Sequence, residues 1–218
     1  MTHQIINSHK SILFLNGTMP DKKILNVLNT KVPLIASDGA AKKMNKLGLS
    51  PDYVIGDLDS YKKQANITNI IKVTNQNLTD FEKCLLFINS KSLSPTLVLG
   101  ANGGEIDHIL GNMQVMIKHS SKTPMYFLDT YQNNDLEIGV KLGIPTTNNL
   151  KLTVNKGSYL SIIAFEEIIL STKGLEWELL NSTLHINGIL GLRNKTVSNQ
   201  LEISLKKGKA LIILDIKL

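Results

Sequence analysis

The chain contains few residues of several informative types. Among its 218 residues there is a single cysteine, Cys84, so no disulfide can form within the chain. This scarcity is typical of proteins from a reducing compartment. No apolar run reaches the roughly 18 residues of a membrane-spanning helix, and the first residues lack the basic-then-apolar pattern of a secretory signal. We therefore expect a cytoplasmic protein with no membrane partner.

Arginine and aromatic residues are also scarce. The formal net charge is +6, yet Arg193 is the only arginine, so nearly all the positive charge comes from lysine. Recognition of bases and phosphates favours arginine, because its guanidinium makes paired hydrogen bonds. No basic segment of the sequence is interleaved with aromatic residues. The composition therefore argues against a nucleic-acid partner and favours a lysine-rich surface, with some lysines near an anionic small molecule.

Residues 1–132 alternate between short apolar segments and helical patterns. This alternation predicts a mostly parallel, Rossmann-like α/β sheet with helices on both faces. Strands are predicted at residues 11–15, 32–36, 53–55, 70–73, 96–99 and 125–128. Helices are predicted at residues 20–28, 40–47, 79–89 and 106–117. The last of these has the clearest apolar periodicity, so we expect it to cover one face of the sheet.

The pattern changes between about residue 130 and residue 140. Beyond that boundary the apolar segments are short and partly alternating, with Gly157 and Gly208 in the turns between them. Strands are predicted at residues 151–154, 158–165, 183–186, 201–205 and 210–216. The sequence therefore predicts an all-β sandwich over residues 138–218, following the α/β domain.

Two aspartates, Asp57 and Asp59, directly follow the third predicted strand. Residues i and i+2 of an extended backbone point the same way, so both carboxylates would face one small volume. Like charges this close are unfavourable unless a cation lies between them. Mg²⁺ suits such a position, because it takes carboxylate oxygens together with substrate phosphates. The alternative is a turn with two solvated acids.

Other polar elements follow neighbouring predicted strands. In an open parallel sheet, ligands bind beyond the carboxyl ends of the strands. The elements at such ends are Asp38–Gly39, Asp57–Asp59, Asp80 and the glycine-rich segment 100–104, which is followed by Asp107 and His108. Their convergence on one edge predicts a single site there.

Several of these residues also have structural explanations. Thr79 and Glu82 match a capping box, and Asp80 would stabilise the positive end of the helix dipole. The segment 100–104 lacks the spacing of dinucleotide-binding and Walker motifs, although its backbone amides could hold phosphate oxygens. His108 fits a hydrogen-bonded structural group better than a proton-transfer group. Trp177, the only tryptophan, could pack in the sandwich core or stack on a cationic ring.

Six segments, in order, resemble the motifs of the thiamine pyrophosphokinase family. Each segment alone is modest evidence, but the whole series covers nearly the entire chain. The segments are 37–40, 52–60, 76–83, 100–112, 172–179 and 196–199.

The resemblance implies a two-domain homodimer. An ATP-binding catalytic domain over residues 1–132 would precede a thiamine-binding domain over residues 138–218, and the active site would lie between the first domain of one subunit and the second domain of its partner. ATP would give its terminal diphosphate to the thiamine hydroxyl, leaving AMP. ATP would thus be a co-substrate and Mg²⁺ the cofactor.

The resemblance also assigns roles by matching position. The implied metal ligands are Asp57, Asp59 and Asp80, and the implied catalytic residues are these three with Asp107. The implied ATP-binding residues are Asp38, Gly39, Gly100, Asn102, Gly103, Gly104, Asp107 and His108. The implied thiamine-binding residues are Gln76, Thr79, Trp177, Thr196, Ser198 and Asn199. Asp59 and Asp80 are the candidates for accepting the hydroxyl proton.

The chain departs from the family pattern at two places. Glu105 stands beside the glycine-rich segment where the family commonly has arginine, and Asn75 and Asn77 flank Gln76 where aspartates are usual. These changes affect the ATP geometry more than the fold. Two other functions remain open on the sequence: a non-catalytic homologue that binds thiamine or nucleotide, and a phosphatase with Asp57 as nucleophile.

Overall fold

The structure is a computed structural model that describes residues 6–58, 69–132 and 138–217. Its larger sheet has ten strands, in the order β12-β9-β14-β7-β6-β5-β1-β2-β3-β4. The first six strands in the chain are all parallel to their neighbours within the part β4-β3-β2-β1-β5-β6. Their bounds are β1 Ser11–Phe14, β2 Leu34–Ser37, β3 Tyr53–Gly56, β4 Asn69–Lys72, β5 Thr96–Leu99 and β6 Met125–Gln132.

Within the described residues, four helices with full bounds pack on this parallel part. They are α1 Lys22–Val27, α2 Ala40–Lys46, α3 Asp80–Ser90 and α4 Ile106–His119. Successive strand residues point to opposite faces of a sheet, and the two cores follow this rule. Phe14 of β1 shares a core with residues of α1 and α2, whereas Leu13 shares a core with residues of α3 and α4. Helices thus cover both faces of the parallel part.

Helix α3 begins as its sequence predicts. Thr79 is the N-cap, and its side chain accepts a hydrogen bond from the backbone N–H of Glu82 while the Glu82 carboxylate accepts one from the backbone N–H of Thr79. This capping box satisfies two backbone donors that the first turn would otherwise leave unpaired. It fixes the first residue of the helix, Asp80, directly after the cap.

Helix α4 uses only part of its apolar stripe in packing against the rest of the chain. Met116 and Ile117, near its end, are buried. Ile106 and Leu110, near its beginning, keep 74% and 54% of their surface exposed. An exposed pair of large apolar side chains at helical spacing is typical of a contact surface.

The C-terminal strands extend the sheet and add a second one. Their bounds are β7 Ile138–Thr146, β8 Leu150–Thr153, β9 Tyr159–Ala164, β10 Ile168–Lys173, β11 Ser182–Leu184, β12 Gly191–Lys195, β13 Gln200–Lys207 and β14 Ala210–Ile216. Strand β7 is antiparallel to β6 and to β14. The second sheet has the order β11-β10-β13-β8. Leu142 and Leu214 of the larger sheet share one core with Leu170 and Ile203 of the smaller one.

Three strands of this part are missing from the prediction: β7, β10 and β12. Strand β7 contains Gly139, Gly143 and Pro145, which are unfavourable in strands. The structure explains Gly143, because a Cβ there would lie 1.6 Å from Cε1 of Phe127. The mixed α/β class is confirmed, and the two parts of the chain share one continuous sheet. No helix in the described parts of the chain is long and apolar enough to cross a membrane.

Candidate active site

A cleft of about 720 Å³ lies at the carboxyl ends of the parallel strands. The loops after β1, β2, β3 and β5 form it, together with the first turns of α3 and α4. Strands β2 and β5 lie on opposite sides of β1, so the chain changes direction across the sheet at this point. Such a switch point is the usual binding position in open α/β sheets. The lining residues with polar side chains are Asn16, Ser37, Asp38, Asp57, Thr79, Asp80, Glu105, Asp107, His108 and Asn112.

Three of the predicted aspartates meet in this cleft. Asp38 follows β2, Asp57 follows β3, and Asp80 is the first residue of α3. Gly56 lies between them: a Cβ on Gly56 would be 2.7 Å from Cβ of Asp38 and 3.5 Å from Oδ1 of Asp80. Residues from two other segments of the chain therefore pack against the glycine that directly precedes Asp57. Asp107 lines the cleft as well, at the start of α4, and Asp59 lies outside the described residues.

The Lys83 ammonium shows that one cation can contact two of these carboxylates. Its Nζ donates to Oδ1 of Asp80 at 2.9 Å and lies 3.9 Å from Oδ2 of Asp57. Carboxylate oxygens are the donors that hard divalent cations prefer. The donor set of Asp57 and Asp80 therefore fits a Mg²⁺ ion.

The glycine-rich segment is held by the loop that follows β1. The backbone N–H of Gly17 donates to the carbonyl of Gly100 at 2.9 Å, and that of Thr18 donates to the carbonyl of Asn102 at 2.7 Å. A Cβ on Gly17 would lie 2.0 Å from the Asn102 carbonyl oxygen, so only glycine permits this approach. Gly100 and Asn102 thus support the segment without lining the cleft, whereas Gly103 and Gly104 line it.

Asn102 has a second contact, to a half-buried acid at the end of the parallel sheet. Its side-chain amide donates to the carboxylate of Asp129 in β6. Burial raises the pKa of Asp129 above its ordinary value of 3.8, although the backbone of Thr130, the charge of Lys141 and this amide act in the opposite direction. The contact ties the glycine-rich segment to the strand beside it.

The rim of the cleft carries three exposed groups at the start of α4. Glu105, Asp107 and His108 place one potential ligand atom each within 4.8 Å of the others. The carboxylate of Asp107 also accepts the backbone N–H of His108 at 2.9 Å. Exposed acids are common without a metal, and solvent screens their charges. We therefore assign no ion to this group.

The cleft is strongly acidic. Its described lining includes five carboxylates and neither a lysine nor an arginine. Lys43 of α2 does not line the cleft and donates to the backbone carbonyls of Asn16 and Gly17. A phosphate-bearing ligand would be repelled by this lining. A bound cation would offset this repulsion.

The predicted thiamine residues separate into two groups. Thr79 lines the cleft, and the amide of Gln76 donates to Asp57 at 3.4 Å. The others, Trp177, Thr196, Ser198 and Asn199, belong to the β-rich part and do not line the cleft of the same chain.

The second group has mixed environments. Thr196 is buried, and its hydroxyl donates to the Asn155 carbonyl at 2.7 Å while accepting the Ser158 N–H at 3.0 Å. Asn194 holds the backbone of Trp177 through two hydrogen bonds, while 62% of Trp177 remains exposed. Trp177 is therefore not a core residue, and its indole is available for a ligand or a partner.

Sequence reasoning did not identify several residues that shape the cleft. Asn16 follows β1, and its side-chain amide packs against Gly39, where a Cβ would lie 2.4 Å away. Gly56 allows Asp38 and Asp80 to approach. The position of Asn16, two residues after the end of a parallel strand, was a usable signal. Gly56 offered no such signal in the sequence, because the residues that pack against it come from distant parts of the chain.

Comparisons with known proteins support one family. The family described as "Thiamin pyrophosphokinase, catalytic domain" matches residues 24–127, and "Thiamin pyrophosphokinase, vitamin B1 binding domain" matches residues 146–210. Together the two matches span more than half of the chain. The chain belongs to the thiamin pyrophosphokinase family.

Individual relatives agree with this assignment. Thiamin pyrophosphokinase 1 of Caenorhabditis elegans is 27% identical over 215 aligned residues, covering 92% of this chain and 86% of its own length. Thiamine pyrophosphokinase 1 of Arabidopsis thaliana is 24% identical over 216 aligned residues, covering 84% and 78%. The crystal structure of thiamine pyrophosphokinase from Bacillus subtilis has the same fold, with a TM-score of 0.76 at 20% identity, covering 96% of this chain and 100% of that one.

The family predicted from the sequence is thus confirmed, and with it an enzyme that carries out ATP-dependent thiamine diphosphorylation. Membership of the thiamin pyrophosphokinase family favours this activity over the phosphatase and the non-catalytic binding protein. ATP as co-substrate and thiamine as ligand follow from the same membership. The roles of individual residues are a separate question.

Proposed function

We propose that the cleft binds the phosphates of ATP through Mg²⁺ held by Asp57 and Asp80, for transfer of the terminal diphosphate to thiamine. The observation that carries this proposal is the position of the Lys83 ammonium, which lies near both carboxylates. It shows that a single cation can contact Asp57 and Asp80 together. The acidic lining is the second support, since a bound cation would offset its repulsion of polyphosphate. Asp59 belongs to the proposed ligand set on sequence grounds alone.

The chemistry requires positioning and charge neutralisation more than covalent participation by the protein. A divalent cation would neutralise phosphate charge and the charge that develops on the leaving oxygen. The thiamine oxygen bonds to the β-phosphorus, and the bond from that phosphorus to the oxygen shared with the α-phosphate breaks, releasing AMP. The hydroxyl proton passes to a carboxylate, for which Asp59 and Asp80 are the candidates.

The remaining cleft residues suit the nucleotide. Gly39, Gly103 and Gly104 line the cleft without side chains, so the backbone can approach phosphate oxygens closely. Asp38, Asp107 and His108 line it as well, and we assign them to ATP, with Asp107 also in the catalytic set. Gly100 and Asn102 act by holding the glycine-rich segment in place.

The direct test is a product assay with ATP, thiamine and Mg²⁺. We expect equal amounts of AMP and thiamine diphosphate. Asp57→Asn and Asp80→Asn should each lower kcat/KM by about 100-fold or more, because each removes a charged oxygen donor. Glu167→Gln is a suitable control, since Glu167 pairs with Lys207 on the exposed surface of the second sheet. Unchanged AMP formation in both aspartate variants would refute the metal assignment.

We assign thiamine to a site completed by a second subunit. Residues 1–132 would supply the ATP site, with Gln76 and Thr79 at its edge. Residues 138–218 of the partner would supply the remaining thiamine contacts, Trp177, Thr196, Ser198 and Asn199. This division accounts for the absence of the latter four from the lining of the cleft described here. The exposed indole of Trp177 could then stack on the cationic thiazolium ring.

Two exposed apolar surfaces support a homodimer. The first is the pair Ile106 and Leu110 on α4, beside the cleft. The second is the exposed apolar side chains of residues 177–192 in the β-rich part, each more than half exposed: Trp177, Leu180, Ile186, Ile189, Leu190 and Leu192. In a twofold dimer the first surface of one subunit could meet the second surface of the other, and the reverse contact would follow by symmetry. Burial of these side chains would stabilise the dimer.

Mixing of two inactive variants tests the shared site. Asp80→Asn and Trp177→Ala subunits should each be weakly active alone. If sites are shared, an exchanged equal mixture should regain up to about a quarter of wild-type activity, because half of the dimers then contain one intact site. Light scattering should give twice the 24.1 kDa mass of one chain. A monomeric mass at working concentration, with full activity, would contradict this arrangement.

A cytoplasmic location remains a prediction. The only cysteine, Cys84, is buried as a free thiol, which suits a reducing compartment. Localisation of a tagged full-length protein would test it.

A further inference from the structure

Lys83 is a buried lysine whose charge points at the proposed metal ligands. Its side chain keeps only 2% of its surface exposed, one turn into α3. An ammonium buried this deeply is unfavourable unless carboxylates compensate its charge. The compensation comes from Asp80 at 2.9 Å and Asp57 at 3.9 Å. The lysine and a divalent cation would therefore compete for the same two carboxylates.

The lysine changes the charge that a metal ion meets. Asp57 and Asp80 together carry a formal charge of −2, and Lys83 reduces the sum for the three groups to −1. A free divalent cation must bind beside a fixed positive charge, and it competes for an oxygen, Oδ1 of Asp80, that already accepts a hydrogen bond from Lys83. Both effects weaken its binding.

Nucleotide phosphate reverses this balance. The triphosphate of ATP brings several negative charges to a cleft whose described lining has no lysine or arginine. These negative charges offset the charge of Lys83, so the carboxylate oxygens become available to the metal. Metal and nucleotide thus favour each other's binding, and such coupling is reciprocal.

We propose that Lys83 makes divalent-cation binding at Asp57 and Asp80 depend on bound nucleotide phosphate. This inference rests on the proposed ATP site and adds an order in which the ligands bind to it. The free enzyme carries Lys83 as the counter-ion of the acids, and the divalent cation enters with the nucleotide. Lys83 is a positioning residue: it acts through the two carboxylates, because its own side chain is buried and does not line the cleft.

The test measures Mn²⁺ binding rather than turnover. Free Mn²⁺ is titrated into the full-length protein and followed by electron paramagnetic resonance, with and without α,β-methylene-ATP, which cannot release AMP. For the wild type we expect binding at least about tenfold tighter with the analogue. Lys83→Met should bind Mn²⁺ without nucleotide at least about tenfold tighter than the wild type, and its gain from the analogue should shrink by a similar factor.

The controls separate charge from structure. Lys83→Arg keeps the charge and should retain the wild-type pattern. Lys118→Met removes a lysine that pairs with Glu82, outside the cleft lining, and should bind Mn²⁺ as the wild type does. Asp80→Asn should weaken Mn²⁺ binding under all conditions. If Lys83→Met does not fold, as judged by its circular dichroism, Lys83→Gln takes its place.

Two results would overturn the inference. One is Mn²⁺ binding by Lys83→Met or Lys83→Gln that equals or falls below the wild type, which would leave the lysine a purely structural role. The other is wild-type binding of Mn²⁺ that does not respond to the analogue. If either result is found while the wild type forms AMP normally, only this inference is refuted. If the wild type forms no AMP and Asp80→Asn does not change Mn²⁺ binding, the proposed site itself is refuted.

Discussion

Gly56 is the single residue on which the spacing of the cleft carboxylates depends most directly. It ends β3, and Asp38 and Asp80 pack over the position where any other residue would have a Cβ. We expect Gly56→Ala to push Asp38 away and to lower kcat/KM by about tenfold or more, because small displacements in a reacting geometry are costly. Steady-state kinetics on the purified variant would measure the loss.

A matched control for this prediction is Gly48→Asn. Gly48 has a φ of +80°, and no atom lies within 4 Å of the position that a Cβ would take there. Asparagine tolerates this backbone conformation. The activity of the variant should equal that of the wild type. Full activity of Gly56→Ala would show that the distance between Asp38 and Asp80 does not limit the reaction.

The first turn of α3 joins the cleft to a buried ion pair. The Glu82 carboxylate accepts hydrogen bonds from the Thr79 backbone, from Lys118 at 2.7 Å and from His119 at 3.3 Å. Burial by itself would raise the pKa of Glu82, but the hydrogen bond from Lys118, with those from Thr79 and His119, lowers it from 4.5 to about 2. The ionised form is therefore the stabilising one.

This pKa sets a pH dependence of stability. The contribution of Glu82 is fully present above its ordinary value of 4.5 and is lost as the pH falls toward about 2. Glu82→Gln should cost about 2 kcal/mol of unfolding free energy at neutral pH. Between pH 5 and pH 2 the variant should lose less stability than the wild type. Urea unfolding at several pH values measures both quantities, and parallel curves for the two proteins would contradict the assignment.

Helix α3 was the most predictable element of the site. Its cap, its first turn and its apolar face are local features, and Thr79, Glu82 and the spacing of Phe81, Cys84, Leu85 and Ile88 express them in the sequence. Strand β7 was the least predictable, because its glycines are explained only by side chains of the neighbouring strand. Local signals identify an element, whereas contacts between elements do not appear in its own sequence.

At the scale of the whole molecule, β7 joins the two halves of the chain. It pairs with β6 on one side and with β14 on the other, so the sheet that forms the cleft continues into the β-rich part. Gly143 permits this junction, since the Phe127 ring lies over it. We expect Gly143→Ala to destabilise the protein by about 2–4 kcal/mol through overpacking.

The same glycine-to-alanine substitution at Gly111 is a control for which we expect the opposite change in stability. Gly111 lies within α4 and has open space where a Cβ would be added. Gly111→Ala should raise the unfolding free energy by about 0.5–1 kcal/mol, because alanine favours helix over glycine. Thermal unfolding of both variants measures the two changes. Equal effects at both positions would mean that the Phe127 contact does not limit stability.

The sequence by itself determined the family, the alternation of strands and helices, the capping box and the identity of the acids at the strand ends. The family followed from the resemblance of six segments, whereas the other features are local patterns that hydrophobic periodicity and turn chemistry express. Only the tertiary structure decided that Asp38, Asp57 and Asp80 face one cleft, that Lys83 lies buried between two of them, and that Trp177 is exposed outside that cleft. Such relations join residues far apart along the chain, and the packing of the sheet and its helices brings them together.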